Sequence, residues 1–447
     1  MRTAAREERI MKALSKTRPC VWIAVGTLCA TMVAMTAPAV AADWPQFRGP
    51  GGRGVSTEPE FPVRWDRRTN VRWRTPLPGP GNGSPIAVRG RVLLNQANKD
   101  GTRRSLMCFD RRDGKLLWER TVAFDRVEKT HQTNPYESPT PASDGTRVVT
   151  WHGSAGLFCY DLNGDLQWQI DLGDVHHIWG YASSPIIHDG RVFQQFGPGV
   201  ETFMAAVDLK TGKLLWKTDE PGGANDRNPR MVGSFGTPVI VEVDGRPQLI
   251  AAMPTRVVAY DPDTGAILWT CRGLSSPRGD LVYTSPVVAG DILIVMAGYK
   301  GPAMAIRLGG NRGDVTKTHR LWITEDGQPQ RIGSGVAVGP FVYIANAGPG
   351  IIQCLEAATG KVRWQARMPG GNAWASMIYA GGLLYSTDQS ATTYVYKADP
   401  DAFRLVATNA LNEPCNATPA FSDGEIFIRT HAALYCISGK SRTPTAP

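Results

Sequence analysis

The sequence predicts an all-β protein, an eight-bladed β-propeller of four-stranded antiparallel blades. Two recurring phrases and their spacing carry that prediction. One phrase appears as "DRRDGKLLW" (110–118), "DLNGDLQW" (161–168), "DLKTGKLLW" (208–216), "DPDTGAILW" (261–269) and "EAATGKVRW" (356–364). A looser copy ends at Trp322, and a copy without Trp ends near 405. The second phrase opens each unit with Ser or Thr, mostly followed by Pro, at 84, 138, 184, 237, 285, 334, 376 and 418. The closing positions, 73, 118, 168, 216, 269, 322, 364 and about 405, lie some forty to just over fifty residues apart. That period belongs to propeller blades, and no unit carries a long 3.6-residue apolar repeat.

Each element follows from its residues. With 447 residues the chain exceeds what one layered core supports, and its 48 Gly and 33 Pro suit many tight turns. Residues 1–42 read as a signal peptide: Arg2 to Arg18 supply a basic start, Val21 to Met35 an apolar core, and "APAVAAD" a cleavage site near Ala41–Ala42. The apolar core is too short for a comfortable transmembrane span. Cleavage removes six basic and two acidic residues, leaving +5 of the formal +9, which does not argue for nucleic acid. Residues 43–69 form an N-terminal segment whose Trp44 and Phe47 are expected to pack on one end of the ring. Within each unit, "DG", "GD" and "GG" between the first two apolar runs, and "TG", "DG" and "NG" between the last two, suit two-residue hairpins. The Trp after the second turn (Trp73, Trp118, Trp168, Trp216, Trp269, Trp322, Trp364) is expected to wedge against the neighbouring blade. "NVRWRTPLPG" (70–79) looks like a fourth strand with no blade before it, whereas 418–439 supplies three strands and no fourth. Pairing them closes a propeller over 70–440 and leaves 441–447 as a disordered tail.

The motif D-x-x-T-G-x-x-x-W resembles the PQQ-type repeat of quinoprotein alcohol dehydrogenase-like propellers, over essentially all of the mature chain. "DWPQFRGPGGRGVS" (43–56), with "YESPTPASDG" and "WGYASSPI", is similar to secreted bacterial proteins of the PQQ-binding-like type, often described in planctomycetes. A non-catalytic relative is the propeller subunit of the outer-membrane β-barrel assembly machinery. The resemblance implies two possible activities. Dehydrogenases of this kind hold PQQ over a Ca²⁺ bound by carboxylate and amide oxygens, use an Asp base, and in several cases press a vicinal Cys–Cys bridge on the quinone. This sequence has no Cys–Cys pair and no haem-attaching C-x-x-C-H. In the enzymatic reading Asp280 is the conceivable base, and Asn134 or Asn416 a conceivable ligand.

Other motifs fail on context. Gly49, Gly51 and Gly54 form a G-x-G-x-x-G without the strand and helix of a dinucleotide site. Asp261, Asp263 and Gly265 begin like a calcium loop, but Arg272 stands where a bidentate Glu is required. Cys108, Cys159, Cys354 and Cys436 share one repeat position with Ala206, Ala259 and Ala305, as small buried side chains do. Cys271 and Cys415 stay open as free thiols or a bridge.

Site-specific chemistry belongs in the loops that enter the innermost strands, because these vary between units. Trp179, Tyr181, Tyr136, Tyr283 and Trp374 are candidates for a stacking surface, or else pack between blades. His177 follows His176 and points away from it, so the two are not expected to share a metal. Glu137, Asp280 and Glu413 are the rim carboxylates, read as solvated charges paired with Arg230, Arg278 and Arg331, or as Ca²⁺ ligands or a base. Asn134, Asn372 and Asn416 complete the candidate rim. The reading preferred on these residues is a periplasmic or secreted, monomeric binding scaffold with no cofactor and no metal, presenting its rim to a protein, peptide or glycan. The alternative is a PQQ- and Ca²⁺-dependent dehydrogenase of alcohols or sugars.

Overall fold

The computed structural model describes residues 42–199, 201–220, 231–325 and 327–439. The signal peptide expected over 1–42, Ala42 aside, lies outside these residues, as do Arg230 and the tail expected over 441–447. Eight blades of four antiparallel strands follow one another along the chain, and one of these sheets carries an added fifth strand. Blades one to seven span 86–123, 142–170, 186–219, 239–272, 287–323, 336–367 and 378–410. The eighth combines three strands of 420–438 with Val71–Pro76, so an N-terminal strand closes the ring. The second and third strands are buried almost throughout, while outer strands such as Leu116–Ala123 alternate exposed and half-buried. Central strands covered on both faces by neighbouring blades need apolar residues continuously; an outer strand needs them on one face.

The recurring phrase joins blades. In six blades the indole Nε1 donates to a turn carbonyl of the next blade: Trp73 to Arg111, Trp118 to Leu162, Trp168 to Leu209, Trp216 to Pro262, Trp322 to Ala357 and Trp364 to Asp399, at 2.8–3.1 Å. The small residue of the third strand lies directly across from each Trp (Cys108 opposite Trp118, Ala206 opposite Trp216, Cys436 opposite Trp73), and a register shift adjoins the pair in every blade. Cys therefore alternates with Ala because only a small side chain leaves room for the indole. All six described cysteines, Cys271 and Cys415 included, are free and buried. Burial pushes the thiols of Cys271 and Cys354 up to about 11 and those of Cys108, Cys159 and Cys415 up to about 12.

Two units depart from the phrase for visible reasons. Blade five replaces the tight turn with a long excursion whose Gly313–Asp314 adds a fifth, parallel strand to blade four at Trp269–Thr270. With no tight turn to reach, the Trp269 indole donates instead to Gln248 Oε1 at 2.8 Å. Blade seven has Ala407 in place of Trp, across from Val395, whereas Leu405, near where the sequence places the end of the copy, takes the position of Leu116 and Val362. Its neighbour, blade eight, is the one blade whose third and fourth strands come from opposite ends of the described chain, so no hairpin turn is there to receive an indole.

The turn glycine is fixed by the same contact. Gly265 has φ +72°, and a Cβ there would meet the Trp216 ring at 2.5 Å. Gly245, in a hairpin of the same blade, also has φ +72° but nothing within 4 Å. Gly245→Ala is therefore expected to cost about 1–2 kcal/mol, the left-handed backbone alone. Gly265→Ala adds overpacking of about 1–3 kcal/mol to that. Urea denaturation of the two variants compares them, and equal losses would remove the steric part of the account.

Residues 43–56 cross the ring at the end opposite the loops that enter the innermost strands. Trp44 pairs with Ala87 of blade one, Pro45 O accepts from Ser143 N of blade two, and Gly54 and Ser56 pair with Tyr379 of blade seven. Arg48 is fully buried and donates to Gly335 O at the head of blade six and to Arg53 O. Burial without an acidic partner lowers its guanidinium to about 9. Gly49, Gly51 and Gly54 all have positive φ here, so the G-x-G-x-x-G shapes this cross-piece. Residues 57–69 then run along blades seven and eight, where Trp65 N and Val63 O bracket the Asn409 amide at 2.9 Å each.

Candidate functional site

The Ser/Thr phrase builds the wall of the central channel. Ser84 N donates to Thr140 Oγ1, Thr140 N to Ser184 Oγ, Ser184 N to Thr237 Oγ1 and Thr237 N to Ser285 Oγ. Ser285 N then donates to Ser334 Oγ, Ser334 N to Ser376 Oγ, Ser376 N to Thr418 Oγ1, and Thr418 N back to Ser84 Oγ. Eight hydrogen bonds of 2.9–3.1 Å thus close a circle, one hydroxyl per blade. Each innermost strand begins with an inward amide that has no ladder partner, and the neighbouring hydroxyl satisfies it. In blade two the ring residue is Thr140, not Ser138 of the same "SPTP" run.

Above the ring the mouth opens as a cavity of ≈ 470 Å³ with two unlike walls. Trp179, Phe235, Tyr283 and Tyr299, from the mouth loops of blades three, four and five, form an aromatic wall. Their successive ring centroids lie 5.6–6.2 Å apart. Side-chain amides make the facing wall. Gln389 Nε2 donates to Asn416 Oδ1 (3.0 Å), Asn416 Nδ2 to Asn82 Oδ1 (3.2 Å), and Asn82 Nδ2 to Asn134 Oδ1 (3.3 Å). Asn134 Nδ2 in turn donates to Trp179 O at 2.7 Å, tying the amide chain to the aromatic wall. His431 Nε2 lies 3.3 Å from Asn82 Oδ1, and burial lowers the pKa of this histidine, with Arg429 adding to the effect. Phe47, on the N-terminal cross-piece, lines the same cavity, as do His131, Gln330 and Trp374. No Asp, Glu, Lys or Arg is found among the described lining residues.

Five of the residues expected at the rim therefore line the cavity: Asn134, Trp179, Tyr283, Trp374 and Asn416. Arg278 and Asn372 are exposed outside its lining. Arg230 aside, which lies outside the described residues, the others lie inward of the surface, and the solvated-rim reading of the carboxylates is corrected. Glu137 is wholly buried, with His152 Nδ1 at 2.8 Å and the Tyr181 hydroxyl donating at 3.0 Å. Glu413 accepts from Arg74, Thr430 and Tyr435. Burial works against ionisation of Glu413, but those hydrogen bonds outweigh it and hold its carboxyl below the usual range. Asp280 is buried on a short parallel pairing of Val232–Ser234 with Asp280–Val282. Tyr136 is buried, its hydroxyl near Glu128 O at 2.5 Å, and Tyr181 packs on Trp151. Arg331 is buried and donates to Gln353 Oε1 at 3.1 Å; burial lowers it to about 10. His177 packs between Trp179 and Phe235.

The family model described as outer membrane protein assembly factor BamB matches residues 55–123, 103–366 and 348–441, most of the chain. The chain belongs to this family. Among curated proteins, a tetrathionate hydrolase of Acidithiobacillus ferrooxidans is 24% identical over 307 residues, 66% of this chain and 47% of that protein. An outer membrane protein assembly factor BamB of Kangiella koreensis is 25% identical over 153 residues, 32% of this chain and 35% of that one. The chain thus spans less than half the length of these relatives. Among solved structures, a quinohemoprotein alcohol dehydrogenase of Comamonas testosteroni superposes with TM-score 0.62 at 13% identity, covering 91% of this chain and 82% of that one. BamB of Moraxella catarrhalis gives 0.56 at 13%, covering 83% and 97%. At such identity these likenesses establish the propeller fold alone.

Within the BamB family fold, the described mouth does not fit PQQ and calcium. PQQ is a tricarboxylic acid and needs cationic partners, whereas Ca²⁺ takes six to eight oxygens, carboxylates prominent among them. The described lining supplies neither charge, and the described His, Cys, Asp and Glu residues form no group of three able to hold a metal. No helix among the described residues is long and apolar enough to cross a membrane.

Proposed function

We propose that the chain is a binding propeller without redox chemistry of its own, working in the periplasm or after secretion as a monomer. It presents the channel mouth to a protein, peptide or glycan ligand. The observation that carries this reading is the uncharged described lining, in which amides, hydroxyls and aromatic rings converge with no cation or carboxylate among the described residues. Relatives named as assembly factors lend support to a binding role. The name of the tetrathionate hydrolase points the other way, but its substrate is a dianion and the described lining holds no cation to receive it.

The test is a titration of the mature protein with PQQ and excess Ca²⁺, followed by cofactor absorbance and thermal shift. Dye reduction is then measured with a panel of alcohols and sugars. The expected result is no saturable cofactor binding and no turnover. Dye turnover that Asp280→Asn abolishes would replace this reading with a quinoprotein dehydrogenase.

A further inference from the structure

We infer that the mouth cavity is a saccharide site, which takes a neutral sugar ring between the aromatic wall of Trp179, Tyr283 and Tyr299 and the amide chain of Asn416, Asn82 and Asn134. This rests on the binding-propeller reading and names the ligand class of the same site.

The two walls divide the chemistry of a sugar between them. A pyranose shows an apolar face of C–H groups and a rim of hydroxyls that both donate and accept. Aromatic side chains offer broad, rigid surfaces to the former. Carboxamides are the neutral side chains that match the latter, carrying acceptor and donors in one planar group. The amide chain is held rigid by its own bonds: Asn82 Nδ2 donates to Thr133 O and Asn134 Oδ1, Asn134 Nδ2 to Trp179 O and Tyr181 O, and Asn416 Nδ2 to Asn82 Oδ1 and Thr133 O, while Asn416 Oδ1 accepts, among the described residues, from Gln389 alone. A ligand therefore meets a preset wall whose remaining acceptor is the second lone pair of Asn416 Oδ1, with little side-chain ordering left to do.

The hydroxyl ring beneath adds donors. Every ring oxygen accepts a backbone N–H, and among the described residues none of these hydroxyls donates to a protein acceptor. Seven of the eight ring residues, all but Thr140, line the cavity and turn those protons toward it. The same ring argues against an extended peptide at this level. Peptide capture on a strand edge uses free backbone N–H groups, and here the inward amides are already engaged by hydroxyls. The indole N–H of Trp374, a lining residue, has no described protein acceptor.

Tyr299 marks the entrance. It and Lys300 both hold positive φ, +49° and +68°, an uncommon conformation for residues other than Gly, Asn and Asp. The strained loop carries an exposed aromatic ring to within 6.1 Å of Trp179. Such strain is kept where the side chain's position serves a ligand. Absence of charge then sets the specificity: a uronate or an amino sugar would place an ion in a site with no described counter-charge.

The experiment is calorimetric titration of the full mature chain with an array of neutral oligosaccharides, maltotriose, cellotriose and fully N-acetylated chitotriose among them. Trigalacturonate and a neutral Asn-Gly-Ser-Gly peptide serve as contrasts, and Trp emission is followed in parallel. Saturable binding of a neutral member, at least tenfold tighter than trigalacturonate, is expected. Tyr299→Ala, at an exposed position, should weaken it by about tenfold or more, the effect of losing one stacking face, whereas Tyr299→Phe stays within about threefold. Trp179→Ala provides a second loss, read only if its melting curve stays cooperative. Peptide binding that Tyr299→Ala abolishes, with no neutral saccharide bound, overturns the saccharide assignment and leaves the binding propeller standing. No saccharide binding at all overturns the assignment as well. Dye-linked turnover with PQQ and Ca²⁺ would overturn both.

Discussion

Trp73→Ala lowers the stability of the propeller by about 3–5 kcal/mol, the range for truncating a buried aromatic. Trp73 sits on the strand that completes blade eight, directly across from Cys436, with its ring 6.0 Å from Phe427. Its indole donates to Arg111 O of blade one at 2.8 Å and lies over the turn at Gly114, where a Cβ would come within 2.5 Å of the ring. Ala leaves a void between two blades and an unpaired carbonyl at the turn. Other tryptophans of the repeat join blades that the chain already connects. Trp73 stands where the ring is shut without a chain connection, by the pairing of Val71–Pro76 with the last strand and by side-chain contacts such as Arg72 with Glu425 and Arg74 with Glu413, so its loss should also broaden the urea transition, as blade eight separates before the remainder. Leu405→Ala, at an exposed position on the outer strand of blade seven, two residues before the Trp-equivalent Ala407, serves as the control and is expected within about 0.5 kcal/mol of the parent. Equal losses in the two variants would show that the indole contributes nothing specific to closure.

The architecture was legible because a propeller repeats its contacts, and repeated contacts leave repeated residues. Gly265 and Trp216 recur as a pair because each fits the other across a blade interface, and the small residue opposite the Trp recurs for the same reason. The departures were legible only with geometry. The copy without Trp near 405 reads as a degenerate repeat until the missing hairpin of blade eight explains the Ala407 that stands in the Trp position. Trp269 looks like any other until the fifth strand of blade four appears beside it.

The site was harder to read, because position in a mouth loop does not give the direction of a side chain. Trp179 and Tyr283 enter the cavity, whereas Tyr181, two residues beyond Trp179, turns into the space between blades. Phe235 lies within a loop the repeat had marked as mouth. Tyr299 and Gln389 escaped because they lie on connections between second and third strands, where the repeat gives no cue. The ring hydroxyls were plain in the sequence as "SP" and "TP", but they read as strand openings. Their use as acceptors for the neighbouring blade depends on a register that only the closed ring fixes. One signal was available: a hydroxyl residue at the same place in all eight units, although Pro is lost in two of them.

Glu137 shows the cost of reading a carboxylate by its place in a loop. Its φ of +66° turns the side chain away from the mouth and into a closed polar cluster. There His152 and Tyr181 contact one carboxylate oxygen each, and Arg104 stands nearby, paired with Glu128 and donating to His152 O. Burial opposes the Arg104 charge, but Tyr181, Glu137 and Glu128 together outweigh it and hold its pKa above the ordinary value. Removing Glu137 strips a buried cation of part of its compensation and leaves the His152 Nδ1 and the Tyr181 hydroxyl without their partner. Glu137→Ala is therefore expected to destabilise by about 3–5 kcal/mol, as when one member of a buried charged group is deleted. Glu137→Gln keeps the shape and one acceptor, so a smaller loss of about 1–3 kcal/mol is expected. Differential scanning calorimetry with urea titration measures both. A Glu137→Ala protein as stable as the parent would mean that the cluster contributes little to folding, and would return Glu137 to consideration as a carboxylate kept for chemistry.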